Sequence, residues 1–405
     1  MIISRKKTNL VIACILIFML MQFYGFVGFK GTYSRLCLMI AVFFIFVYSW
    51  NTYLSLIKSK IHFFVFLLTI AMFFSFINAY LFWGQDFLSS YRGSAKYMII
   101  VFFFFLVKVK FSQNEVEKII VFFSFVFVCF WILGLMSAPH ILFDVNVDNN
   151  DFGLDDTRGL TRLRIPGLGF IVLGSFLSIN KFIITKKKIW LFLFFVFYTV
   201  IFLQLTRQVI LATALIVIIY TLRTSILSRI IAFFMVLIAP LCLLMLGGDQ
   251  ENNGILGKLV SLSVSDFSGA GSGEQYIRFR EYYYYIFDFP TNFITFIFGN
   301  GVPFGDSVYA KIAQKPIDLY QYYLSDIGYA QIYNFFGIFG LCLYFIIFYK
   351  ALKMMKNRNI FYAKMFILYE CIVGFTSNYI LLDGMALSMS LYLLDTYSSR
   401  CEGEQ

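Results

Sequence analysis

Arg5-Lys6-Lys7-Thr-Asn-Leu10-Val-Ile-Ala-Cys-Ile-Leu-Ile-Phe-Met-Leu-Met21 sets three cations before an unbroken apolar run. The pattern imitates a secretory leader. The apolar character nevertheless continues to Phe26 and no small-x-small cleavage site follows, so the stretch reads as a retained first span. Similar runs follow it along the whole chain. Apolar stretches near 8–28, 34–50, 61–83, 94–109, 118–136, 167–180, 189–205, 208–222, 230–247, 326–349, 360–380 and 384–397 predict twelve spans. Each span consumes about 20 residues, so twelve take roughly 240 and leave the rest for loops. Composition agrees: of 405 residues 60% are hydrophobic and 14% charged, against about 25% charged in a soluble domain. The expected fold is an all-α polytopic integral membrane protein of about 12 transmembrane helices. It forms a single transmembrane domain over 1–405 without a separate soluble domain.

Charge orients this bundle. With the N-terminus in the cytoplasm, the inner side collects 20 of the 33 basic residues and 5 of the 22 acids, a net +15. The outer side then carries −3, and Glu370 alone lies mid-span. The excess of Lys and Arg on inner loops predicts that both termini are cytoplasmic. Orientation therefore accounts for the basic balance, and no nucleic-acid partner is required.

Two connections are long in this topology, 137–166 and 248–325, and both fall outside. Long loops in a compact membrane protein are usually functional or disordered. In the second, Glu274-Gln-Tyr-Ile-Arg278-Phe-Arg280-Glu281 followed by four tyrosines, Ile and Phe287 reads as a helix lying at the membrane interface. Phe298-Gly299-Asn300-Gly301-Val-Pro303 then makes a turn. No internal repeat of fixed period is visible.

Several chemistries are excluded. The seven cysteines are not arranged at metal-ligand spacing, and six lie in apolar runs. Two histidines, His62 and His140, cannot make a histidine cluster. No Gly-rich phosphate loop ending in Gly-Lys-Ser/Thr is present, and no Asp-x-Asp pair occurs in an outer loop. Neither metal nor cofactor is expected.

Outer arginines run against the charge rule and need a reason. Arg158, Arg162 and Arg164 crowd the first long loop, Arg207 stands in the Thr206-Arg207-Gln208 turn, and Arg278 and Arg280 lie on the interfacial helix. Guanidinium groups grip phosphate oxygens bidentately and stay charged at any relevant pH, which suits a pyrophosphate-linked lipid. The alternative is contact with headgroups or pairing with Asp155, Asp156, Glu274 and Glu281. For Arg207, which has no acid nearby in sequence, phosphate binding is the stronger reading. A transfer reaction also needs a base for the acceptor hydroxyl, with Asp306, Asp318 and Asp326 as candidates. Asp326 could instead cap the tenth span. Glu370 is costly in lipid and should face the bundle interior, as a hydrogen-bonded core group or a proton relay.

At the tenth span, Asp326-Ile-Gly328-Tyr329 followed by Gly337 and Gly340 resembles the C-terminal signature of the O-antigen ligase and Wzy-type O-antigen polymerase superfamily. Gln204-Leu-Thr206-Arg207 is similar to that family's arginine turn between central spans, and Arg278 through Phe298-Gly299-Asn300-Gly301 to its Arg-to-Gly-x-Gly stretch. The ligase histidine is replaced by Asp326, which shifts the resemblance towards polymerase. What it implies is a GT-C-like architecture in the bacterial inner membrane and an inverting, metal-independent glycosyl transfer on the periplasmic face. The growing glycan would pass from undecaprenyl pyrophosphate to an incoming lipid-linked repeat unit. Asp326, Arg207 and Arg278 would be catalytic, while Arg158, Arg162, Arg164, Arg280, Tyr329 and Asp318 would hold pyrophosphate and glycan. Membrane lipids and a chain-length regulator protein would be partners. The rivals are an O-antigen ligase and, from a different class, a polysaccharide flippase or other transporter, for which repeated halves and charged mid-span residues would be expected.

Overall fold

The computed structural model describes residues 2–27, 31–54, 60–137, 142, 153–155, 162–204, 206–222, 277–289, 292–354 and 357–398. The chain folds as helices α1 (Ile2–Leu20), α2 (Gly31–Tyr48), α3 (Trp50–Leu54), α4 (Lys60–Trp83), α5 (Phe87–Ser94), α6 (Phe102–Val109) and α7 (Gln113–Met136). A hairpin of β1 (Gly153–Asp155) and β2 (Arg162–Arg164) precedes α8 (Leu168–Thr185), α9 (Lys188–Leu203) and α10 (Arg207–Leu222). Next come α11 (Ile277–Tyr283), α12 (Phe293–Phe298), α13 (Val308–Tyr320) and α14 (Gly328–Lys353). The last three are α15 (Phe361–Val373), α16 (Tyr379–Leu382) and α17 (Gly384–Ser398).

Among the described residues, Ile61–Trp83, Gln113–Met136, Leu168–Thr185 and Gly328–Lys353 are long and apolar enough to cross a membrane, and five shorter apolar helices accompany them. The protein is thus a helical membrane protein. Helix α8 is its centre: 83% of its apolar window is buried, against 44–50% for the other three. A helix apolar all round belongs in such an interior, and the half-covered ones keep a face for lipid. Helix α7 starts at a reciprocal cap in which Ser112 and Glu115 satisfy each other's backbone N–H groups.

The all-α expectation holds for the bundle, and one short antiparallel hairpin accompanies it, with the backbone of Asp155 opposite that of Arg162 and Gly153 opposite Arg164. The fourth span, expected over 94–109, is an apolar helix over Met98–Val109 whose first turn is 3₁₀. The eleventh ends at Val373 rather than 380, and residues 374–383 turn back into the bundle. Asp383, expected in an outer connection, is therefore 4% exposed. The ninth predicted span and the first part of the second long loop, through 276, lie outside the described residues.

The feature that organises the rest is a break in α14. Gly337 adopts φ 71°, ψ −178°, a conformation open only to glycine, and the helix is kinked there. The break frees the Asn334 and Phe335 carbonyls, which accept from the N–H groups of Asn300 (2.8 Å) and Gly301 (3.1 Å). Helix α4 locks the same segment from the other side: Asn78 Nδ2 donates to Gly299 O (2.8 Å) and Trp83 Nε1 to Asn300 Oδ1 (3.2 Å). Irregular backbone inside an apolar bundle survives only when protein satisfies its polar groups, as it does here. The Gly299-Asn300-Gly301 turn and the Gly337 position, 36 residues apart, are thus the two halves of one joint.

Candidate functional site

The turn that follows α15 gathers four separate parts of the chain. Tyr329 N donates to Gly374 O (3.0 Å) and Asn378 N to Ser325 O (3.0 Å), pinning the start of α14 to it. A Cβ on Gly328 would lie 2.2 Å from Ser377 O, so only glycine permits the approach. Tyr282 Oη, on α11, donates to Phe375 O (2.9 Å), and Gln208 Nε2, on α10, donates to Thr376 O (3.2 Å). Gln204 extends the assembly. Its amide, oriented to satisfy both neighbours, donates to Leu163 O (2.9 Å) and accepts from Trp131 Nε1 (2.8 Å). Strand β2, the Arg207 turn, α11 and the head of α14 therefore meet at one end of the bundle.

Glu281 is the centre of charge in this assembly. It is 2% exposed, its Oε1 accepts from Tyr323 N (2.9 Å), and its Oε2 has no hydrogen-bond partner among the described residues. Burial pushes its carboxyl up to about 7, and the negative charge of Asp326 pushes the same way. The Tyr323 N–H and the Arg278 guanidinium oppose them. Arg278 and Glu281 stand three residues apart on one face of α11, where side chains meet. A carboxyl balanced near neutrality, beside a permanent cation and a second carboxylate, can take or return a proton at physiological pH.

Three of the sequence-predicted residues, Arg278, Asp326 and Tyr329, come together here, with the Arg207 turn beside them. Arg207 is the first residue of α10 and half-buried. Tyr329 is buried and its hydroxyl donates to Cys371 O (2.8 Å). Arg162 and Arg164 lie on β2, whereas Arg158 lies outside the described residues. Arg280 follows Arg278 by two residues and occupies a different face of α11. Asp318 is exposed on α13 and accepts from Gln314 Nε2 (3.0 Å), and Asp306 is exposed in a turn before it.

Asp326 does not stand at the N-cap position of α14. Asp326 ends a 3₁₀ turn, Leu324–Asp326, and α14 begins after Ile327, with no side-chain cap. Ile327 is extended (φ −137°) and occupies the N-cap position, and the Tyr329 N–H finds Gly374 O instead.

Two further carboxylates complete the picture. Glu370 is fully buried, facing the bundle interior as its cost in lipid requires. Asp383 stands near it and accepts from Gly169 N (2.9 Å) at the head of α8. Sequence reasoning named Glu281 only as a partner for arginine and did not single out Asp383. Asp383 had no local signal, because its burial comes from the turn after Val373. Among the described residues, no three His, Cys, Asp or Glu side chains are grouped as a metal site would need. A comparison of the chain with protein-family models and with curated proteins finds no match in either.

Proposed function

We propose that this protein is a surface-polysaccharide (O-antigen-type) polymerase of the bacterial inner membrane, with both termini cytoplasmic and its site on the periplasmic face. The observation that carries the reading is the meeting of Arg278, Glu281 and Asp326 beside the Arg207 turn. In the proposed reaction the acceptor hydroxyl of an undecaprenyl-pyrophosphate-linked repeat unit attacks the anomeric carbon of the growing glycan. A new glycosidic C–O bond forms as the bond to pyrophosphate breaks. Glu281 takes the hydroxyl proton, and the guanidinium groups of Arg207 and Arg278 stabilise charge on the departing undecaprenyl pyrophosphate. Preorganised cations contribute most where charge develops, so the arginines address the leaving group and the carboxylate the nucleophile. The donor is already activated, and no nucleotide or metal is called on. Membrane lipids and a chain-length regulator protein complete the partners.

Loss of the gene tests this directly. Cells are expected to carry lipopolysaccharide capped with a single repeat in place of a ladder, seen by gel electrophoresis. Absence of every capped species would point to a transporter or ligase. The transporter is the second reading, and the interrupted α14 together with the buried Glu370 and Asp383 favours it, since broken helices and interior carboxylates serve transport as well. Arg207→Lys supplies an independent check: it keeps the charge but not the bidentate fork. A loss of activity of about tenfold or more at normal membrane levels is expected, and near-normal ladders would reduce Arg207 to a packing role.

A further inference from the structure

The end of α13 and the turn after α11 build a cluster of tyrosine rings beside Glu281. Helix α13 stops at Gln321, whose left-handed backbone (φ 57°) turns the chain, and Tyr322 N donates back to Pro316 O (3.3 Å). Tyr322 therefore folds against Tyr320, with ring centres 5.3 Å apart. From the other side, α11 runs into a single π turn, Tyr284–Asp288, closed by Phe289 N donating to Tyr284 O (2.7 Å). That turn carries the Tyr284 ring to 5.8 Å from Tyr322 and 6.2 Å from Tyr320, and such turns recur at functional sites. Tyr285, buried beneath, donates its hydroxyl to Tyr322 O (3.1 Å) and fixes the two segments to each other.

Three contacting tyrosines suit either lipid or sugar, and α13 decides between them. Lys311, Gln314, Lys315 and Asp318 recur at helical spacing on its outward side and are all exposed, whereas Tyr309 and Pro316 on the opposite side are buried. A helix lying in the bilayer surface would turn its apolar side to lipid. Here protein already covers that side. The cluster thus faces water, and Tyr320 keeps 54% of its surface exposed there. A pyranose ring has an apolar face of C–H groups and a rim of hydroxyls, and a tyrosine offers it a flat apolar ring with a polar tip. It does so at little entropic cost, having few rotatable bonds.

We propose that Tyr284, Tyr320 and Tyr322 form a sugar-stacking site that holds a saccharide ring next to Glu281. Continuity with the carboxylate supports it. Tyr323, adjacent to Tyr322, donates its N–H to Glu281 Oε1 (2.9 Å), and Tyr284 follows Glu281 by three residues, the spacing at which side chains share a helix face. The assignment rests on the polymerase reading, in which the stacked ring is the acceptor sugar of the incoming repeat unit, since its hydroxyl gives its proton to Glu281. The tyrosines bind and orient that ring and take no part in proton transfer.

The test uses the full chain in lipid nanodiscs and, as probe, the free oligosaccharide released by mild acid from the cell's own lipid-linked repeat units. Binding is read by saturation-transfer NMR. Tyr320→Ala and Tyr322→Ala, compared at the elution and melting profiles of the parent protein, are expected to weaken binding about tenfold each, the scale of one aromatic contact. Tyr320→Phe keeps the ring and is expected to retain binding. So is Tyr283→Ala, which removes an exposed tyrosine whose ring neighbour is Phe287 instead. Binding that is undetectable in the parent protein, or unchanged in both alanine variants, overturns the proposal. Quenching of the fluorescence added by Tyr320→Trp with brominated lipid overturns it as well, since the ring then lies in the bilayer. Should gene deletion leave ladders intact while sugar binding behaves as expected, the polymerase reading fails on its own, because the binding experiment involves no turnover.

Discussion

Gly337→Ala is expected to prevent accumulation of the folded protein, seen as loss of the monodisperse peak in fluorescence-detected size exclusion. Three effects act together. The φ of 71° with ψ near 180° belongs to a region that non-glycine residues enter only at a cost of about 1–3 kcal/mol. A Cβ there would sit 2.1 Å from Ile297 O, a backbone atom that cannot swing away. Moving it must separate Asn300 N and Gly301 N from their carbonyl partners, and each buried group left unmade costs about 1–3 kcal/mol. The sum approaches the roughly 5–15 kcal/mol that stabilises a typical domain. Gly299→Ala is expected to behave alike, since φ is 84° and the Cβ would meet Phe335 O at 2.2 Å. Gly305→Ala is the control: its φ of 59° is also positive, yet nothing stands within 4 Å. A cost near 1 kcal/mol is expected there. If Gly337→Ala and Gly305→Ala melt alike, the joint between α12 and α14 does not carry the fold.

On the proposed polymerase reading, Glu281→Gln is expected to lower the rate of polymerisation about 10²–10⁴-fold, the usual contribution of a general base. The protein should stay folded, because the glutamine carbonyl still accepts from Tyr323 N and no charge is left buried. If Glu281 is the base of the proposed reaction it works when ionised, so activity in membrane vesicles should rise with pH through about 7 and fall below it. Asp326→Asn separates the two carboxylates. The Asp326 charge holds the Glu281 carboxyl up, so its removal is expected to move the pH step to lower pH while turnover at pH 8 persists. An inactive Asp326→Asn beside an active Glu281→Gln would return the proton-accepting role to Asp326.

Much of this protein is legible without its fold. Apolar runs such as 118–136 and 326–349 must become helices in lipid, because only a helix satisfies its own backbone there. The arginines that the charge rule assigns to the outer side, and an acid at the head of the tenth predicted span, were visible as well, since charge is a local property of the chain. Glu370 could be assigned to the interior from cost alone.

Tertiary structure alone decided the remainder. Nothing local says that Gly299-Asn300-Gly301 plugs the break at Gly337, because a kink is stable only when a distant segment supplies the hydrogen bonds that it frees. Nor does any local pattern say that the chain turns at Gly374, drawing Tyr282, Gln208 and Tyr329 onto three consecutive carbonyl-bearing residues and burying Asp383. Hydropathy measures the cost of a side chain in lipid one window at a time. Whether a carboxylate faces water, an arginine or the bundle interior depends on elements hundreds of residues apart, and Glu281 and Asp383 acquired their chemistry only when those elements closed around them.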